Sequence, residues 1–362
     1  MTGEISASKQ QQLDEQLVAA ARLDDGQAAE KVRTLIQLGA NPSAKVSYFP
    51  WLGPCSALVA AVAKGKEAMA LALVDAGADA SSRDEEGRTA FLWAARNGMG
   101  KLAEALGPLS DGSLRDSSGA HPLVLAATAA AGTSCLMAIA KFAPPSAADL
   151  NLSLMKASAA CGMERRDGDE CEDKEQEQTS ERAAMWLLSM GAHPSKTLNA
   201  DGEDALIIAL RCERGTLAEA MIAHGADLQL VSRSGDTALS WAAARGEEAC
   251  VRAIARECDV NQQLPDGRTP LMQALQYARG KDAEACIDFL LSISDIHSTR
   301  PRRLGDVGEE TLLQFARRIS PQWAVAAVER EFSRRKALSE REELSSAAEL
   351  GTGAAKPRAR VL

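Results

Sequence analysis

Short apolar blocks alternate with polar turns along this chain at a period of about thirty-three residues, the spacing of a stacked-repeat protein. Three copies show the leading block plainly: Thr89-Ala90-Phe91-Leu92-Trp93-Ala94-Ala95-Arg96-Asn97-Gly98, Thr237-Ala238-Leu239-Ser240-Trp241-Ala242-Ala243-Ala244-Arg245-Gly246 and Thr269-Pro270-Leu271-Met272-Gln273-Ala274-Leu275. A side-chain oxygen at Ser56, Thr89, Asp204, Thr237 or Thr269 stands ahead of Ala or Pro, which predicts a capped, short first helix. Alanine pairs at 94–95, 126–127 and 242–243 lie on its inner side, so neighbouring helices are expected to pack closely. A glycine at 65, 98, 132, 162, 215 or 246 then ends that helix, because glycine takes the left-handed C-cap without a Cβ clash.

A second helix follows in each copy and carries the larger apolar residues, such as Met69, Leu73 and Val74, or Ile287, Leu290 and Leu291. That stripe predicts burial on one face. Each second helix stops at a similar closure: Leu38-Gly39-Ala40-Asn41, Ala76-Gly77-Ala78-Asp79, Met190-Gly191-Ala192-His193 and His224-Gly225-Ala226-Asp227. The stretches Asp84-Glu85-Glu86-Gly87-Arg88, Ser232-Arg233-Ser234-Gly235-Asp236 and Pro265-Asp266-Gly267-Arg268 have the composition of tight turns.

In that order and at that period, the Asp-x-x-Gly-x-Thr-Pro/Ala-Leu and Gly-Ala-Asp pieces resemble the ankyrin repeat family. The resemblance implies an all-α solenoid of stacked helix-turn-helix units with β-turn fingers. Units are expected to start near Ser56, Thr89, His121, Ser153, Asp204, Thr237 and Thr269, with degenerate ones at residues 14–42 and at Thr311. These nine units span residues 12–332, after a disordered N-terminus at 1–11 and before a tail at 333–362 that is helical and then disordered. The family's usual His, two residues past Pro, is replaced by Leu92, Val124, Ile207, Ser240 and Met272, which implies looser fingers. Tetratricopeptide units share the period but lack the Gly-Ala-Asp closure, and HEAT or armadillo units are longer.

Composition narrows the picture further. Aromatic residues make up 4% of the chain and hydrophobic ones 46%, which suits thin Ala and Leu layers in which each unit touches only its neighbours. The formal charge of -9 argues against nucleic acid as a partner, since phosphate binding needs a basic face. No apolar run reaches the roughly eighteen residues of a membrane span, and Met1–Glu15 lacks the apolar core of a secretory signal. Eight cysteines without Cys-x-x-Cys spacing fit a reducing compartment, so a cytoplasmic protein is expected.

Two segments interrupt the array. Residues 164–181 hold nine acids against three bases and read as a solvated insertion in the turn between the helices of the fifth unit. Its Asp167, Asp169 and Asp173 do not match a Ca²⁺ loop. From Arg300 onward thirteen bases face nine acids, and Arg300-Pro301-Arg302-Arg303 reads as solvated surface, with nuclear import as the alternative. Catalytic signatures are missing: there is no Gly-x-Ser-x-Gly elbow, zinc helix or phosphate loop, and Gly351–Lys356 has the wrong spacing. No catalytic residue, cofactor, metal or small-molecule substrate is expected.

The expectation is therefore a non-catalytic scaffold or adaptor that binds other proteins. The alternative is a regulatory or substrate-targeting module of a larger enzyme or channel. The resemblance implies a concave groove lined by fingers and first-helix ends. That selects Arg83, Glu86, Arg88, Arg233, Asp236 and Arg268 on the fingers and Arg96, Asn97, Arg245 and Tyr277 in the groove as partner-binding residues. Trp93 and Trp241 occupy matching positions and are expected to pack between first helices rather than to anchor a partner.

Overall fold

The computed structural model describes residues 7–20, 28–49, 53–111, 115–129, 131–160, 172–278, 283–297, 299–301 and 309–352. Gly162, residues 164–171 of the acidic segment, Arg302, Arg303 and both chain ends lie outside them. The chain divides into two compact parts, Met1–Asp227 and Leu228–Leu362. In the first part the helices are α1 (Ala7–Ala20), α2 (Ala28–Gln37), α3 (Ala57–Ala63), α4 (Glu67–Asp75), α5 (Ala90–Arg96), α6 (Gly100–Leu106), α7 (Pro122–Thr128), α8 (Thr133–Phe142), α9 (Ala147–Ala159), α10 (Glu172–Ser189), α11 (Ala205–Arg211) and α12 (Gly215–Ala223). An antiparallel hairpin of β1 (Lys45–Phe49) and β2 (Gly53–Ser56) precedes α3.

The second part holds α13 (Ala238–Arg245), α14 (Glu248–Ile254), α15 (Pro270–Tyr277), α16 (Ala283–Ile293), the hairpin β3 (Thr299–Pro301) and β4 (Glu309–Thr311), α17 (Leu312–Ile319) and α18 (Gln322–Thr352). Odd-numbered helices are first helices and even-numbered ones are their antiparallel mates. Within each part, first helices pack on first helices and second helices on second helices, giving two ranks.

The caps follow the sequence closely. Side chains of Ser56, Thr89, Asp204, Thr237, Thr269 and Thr311 accept from the backbone N–H three residues on, at 2.9–3.4 Å. His121 caps through Nδ1 instead, taking the N–H of Leu123, two residues on, at 3.1 Å. Ser153 is the exception. The fifth unit starts seven residues earlier, at Ser146, which forms a capping box with Asp149. Ser153 is buried in mid-helix, its hydroxyl donating to the Asp149 carbonyl at 2.7 Å. Pro144 and Pro145 hold the chain out of a helix up to Ser146, so the box Ser146-Ala147-Ala148-Asp149 was the true start signal.

The first helices meet through alanine. Ala94, Ala95, Ala126, Ala127, Ala242 and Ala243 are at most 1% exposed, so any added methylene there must displace a neighbour. Gly65, Gly98 and Gly246 end their helices with φ of 77°, 68° and 74°, as the pattern predicts. Two other glycines do not. Gly132 is the extended N-cap of α8, with φ of -62°, and Gly215 is the first residue of α12. In that turn the left-handed position falls to Glu213, at φ of 61°, which an L side chain occupies at a cost of about 1–2 kcal/mol.

Neighbouring units are also tied by a bond that the sequence pattern conceals. The first N–H after each Gly-Ala closure, or its equivalent, donates to a side chain, of the preceding closure loop at Ser43, Ser195 and Asn261 and of the unit's own first helix at Asp14 and Asn151. The pairs are Asn41 to Asp14, Asp79 to Ser43, His193 to Asn151, Asp227 to Ser195 and Asp295 to Asn261, at 2.7–2.9 Å.

The acidic segment departs from the expected turn. From Glu172 it is helical and forms the front of the 18-residue α10. Arg214, 3% exposed, reaches back from the next unit to bracket it, donating to the Ala157 carbonyl at 2.9 Å and to Ser180 Oγ at 3.1 Å. The guanidinium thus serves a carbonyl in the last turn of α9, where a tight glycine turn stands elsewhere. At the other end, α18 runs unbroken for 31 residues, so the tail helix expected from residue 333 is the continuation of the last second helix.

Three outcomes follow for stability. Ala243→Leu should lower the urea unfolding free energy by about 1–3 kcal/mol, whereas Arg233→Ala should leave it within about 0.5 kcal/mol. Glu213→Gly should raise it by up to about 1 kcal/mol, and Gly98→Ala should lower it, since a Cβ there meets the Ala131 Cβ at 3.3 Å. Burial holds His121 below the usual imidazole range. Its neutral form is the one that caps, so the stability it contributes is present above about pH 6.5 and lost as pH falls through the folded-state value. Urea midpoints measured from pH 7.5 to 5 should fall less steeply in His121→Thr than in the parent.

Candidate functional site

Between each second helix and the next first helix the chain folds into a finger. Five fingers repeat one pair of backbone hydrogen bonds. Gly87, Gly119, Gly202, Gly235 and Gly267 donate to the carbonyls of Asp84, Asp116, Asn199, Ser232 and Leu264, at 2.8–3.1 Å. The N–H of each of those last five residues donates in turn to the residue four positions on, at 2.9–3.2 Å. Side-chain oxygens of Asp84, Asp116, Asn199 and Ser232 accept a further N–H from the far limb. The same bonds recur in all five, so these fingers are regular rather than loose. Before α3 and α17 the finger is lengthened into the hairpins β1–β2 and β3–β4.

The selected residues fall into three corners where a finger meets a first helix. At the first corner, Arg83 is exposed and donates to the Gly87 carbonyl at 2.9 Å. Arg88 is turned inward instead of outward. It is 8% exposed, bonds Asp84 at 3.1 Å and Glu86 at 2.8 Å, and lies 4.2 Å from the Trp93 ring centroid. Trp93 Nε1 donates to the same Asp84 carboxylate at 2.9 Å, and exposed Arg96 stands 5.7 Å from its ring. Asn97 faces backward: its amide donates to the Val62 carbonyl at 2.6 Å, tying adjacent units.

At the second corner Arg233 is exposed and Asp236 half-buried, with Ser234 Oγ donating to Asp236 Oδ2 at 2.6 Å. Arg245 stands 5.6 Å from the ring of the half-buried Trp241. At the third corner Arg268 pairs with Asp266 and donates to Gln276 Oε1 at 3.0 Å and Tyr277 Oη at 3.1 Å. Tyr277 is 47% exposed, its hydroxyl held by the arginine and its ring open.

Sequence reading missed Asp84, the carboxylate that organises the first corner; Trp93, nine residues on, was the available signal. It also missed the fork between Arg115 and Asp149. Two bonds of 2.9 Å join the finger that leads into α7 to α9, the first helix of the following unit, and the guanidinium, helped by Ser146, holds the Asp149 carboxyl well below the usual range.

Three buried cysteines are held in the thiol form. Burial pushes the Cys55 thiol up to about 11 and those of Cys135 and Cys286 to about 12, so none is a thiolate at neutral pH. Among the described residues no group of three His, Cys, Asp or Glu is placed to hold a metal ion. No helix among them is long and apolar enough to cross a membrane.

Comparison with known families agrees with the helical pairs and fingers. A model of ankyrin repeats in three copies matches residues 176–264 and 206–300, and a second ankyrin-repeat model matches residues 58–106. No curated protein matches the chain. The paired helices, Gly-closed turns and regular fingers, with family matches in both compact parts, identify an ankyrin repeat domain-containing protein of the all-α solenoid class.

Proposed function

We propose that this chain is a non-catalytic scaffold or adaptor that recruits partner proteins through its fingers and the ends of its first helices. Ankyrin repeats are generally protein–protein interaction modules and typically non-catalytic. One observation carries the reading: exposed Arg83, Glu86 and Arg233 stand on finger backbones already fixed by repeated hydrogen bonds. Contacts made from a fixed backbone avoid the ordering cost that weakens association. Mixed charge on the fingers, with the open ring of Tyr277 among them, suits a polar protein surface with an aromatic anchor. The cytoplasm is the compartment this reading assigns, and buried, unbridged thiols at Cys55, Cys135 and Cys286 support it.

Affinity purification of the full chain from cell extract, beside a variant carrying Arg96→Ala, Arg245→Ala and Tyr277→Ala, tests the proposal. Proteins captured by the parent should be lost or reduced at least tenfold in the variant, while its circular-dichroism melting curve stays close to the parent's. An identical set of captured proteins would overturn it.

A further inference from the structure

The first and second corners share a finger turn and a tryptophan at the same position of the first helix, but differ in the charges set around the ring. Trp93 corresponds to Trp241, and an arginine near the end of each first helix, Arg96 or Arg245, stands at nearly the same distance from the indole, 5.7 and 5.6 Å. In the first corner a second guanidinium, that of Arg88, covers the ring at 4.2 Å and leaves Trp93 only 8% exposed. Asp236 occupies that chain position in the second corner, and Ser232 stands where Asp84 does. Among the described residues no second cation covers Trp241, which is half-buried. Asp236 Oδ2 takes the Ser234 hydroxyl, and its Oδ1 has no hydrogen bond among the described residues.

We propose that the second corner binds an arginine side chain of a partner protein, its guanidinium stacked on Trp241 as Arg88 stacks on Trp93 and paired with the Asp236 carboxylate. This rests on the reading of the chain as a protein-binding array and names the side chain one corner takes. A planar guanidinium satisfies both demands at once, stacking on the indole while its N–H groups meet the carboxylate in plane. An ammonium, as a compact point charge, meets them less well. Repulsion from Arg245 is opposed by the Asp236 carboxylate, as Asp84 and Glu86 oppose it where two guanidinia flank the Trp93 indole. The missing Asp84 carboxylate is not an obstacle, since Asp236 supplies the negative charge from the position Arg88 vacates.

The test uses the full-length chain with ¹⁵N-labelled tryptophan, whose indole N–H signals report each of the five tryptophans separately; Trp241→Phe assigns the relevant one. The probes are an alternating glycine–arginine peptide and its lysine and citrulline counterparts. The arginine peptide should shift the Trp241 signal saturably, the lysine peptide should do so several-fold more weakly, and the uncharged citrulline peptide should not shift it. Asp236→Asn should weaken arginine-peptide binding by roughly tenfold. The double variant Ser232→Asp, Asp236→Arg rebuilds the first corner from within; it should abolish the shift and unfold at no lower denaturant concentration than the parent. A Trp241 signal that stays still, moves equally with citrulline, or still responds in the double variant would overturn the inference. Captured proteins that disappear in the groove variant while Trp241 ignores the arginine peptide would end this inference alone, and the scaffold reading would stand.

Discussion

No helical pair in this chain can bury its own apolar face, and everything else follows from the need for a neighbour to cover it. The first helices are only seven to eight residues long in most units, far below the length at which an isolated helix is stable in water. They persist because Ala94–Ala95, Ala126–Ala127 and Ala242–Ala243 let backbones approach closely enough for small side chains to seal the contact. Cap oxygens, left-handed glycines and closure bonds such as Asp79 to Ser43 act on that contact. They fix where each helix starts, how it reverses and how far one unit is turned against the next.

Much of this was legible in the residues, for identifiable reasons. Caps at Thr89, Thr237 and Thr269 could be read because an N-cap is a local event, decided by a side-chain oxygen and the three residues after it. Ser153 was misread because the expected spacing outweighed local chemistry, when Ser146 with Asp149 carried the better start signal. Gly215 misled in a similar way: glycine marks the turn, but Glu213 takes the left-handed φ, and only the path of the chain decides which residue bears it.

Side-chain direction was the least legible feature. Arg83 and Arg88 both lie on one finger and are alike in sequence, yet one is exposed and the other is drawn over Trp93 by Asp84 and Glu86. Composition counts both as surface charge. The difference arises from a carboxylate four residues earlier and an indole five residues later, a combination that no single-residue preference encodes. The same holds for Asn97, which reads as a groove residue but spends its amide on the Val62 carbonyl.

Arg214 has a consequence for how such a chain can change. By grasping Ala157 on one side and Ser180 on the other, it fixes the two mouths of the acidic excursion independently of what lies between them. Lengthening a closed loop costs little, about 0.6 kcal/mol for each doubling, once its mouths are held. The fifth unit therefore offers a port at which new sequence can be spliced in and altered freely, while the layers on either side keep their spacing.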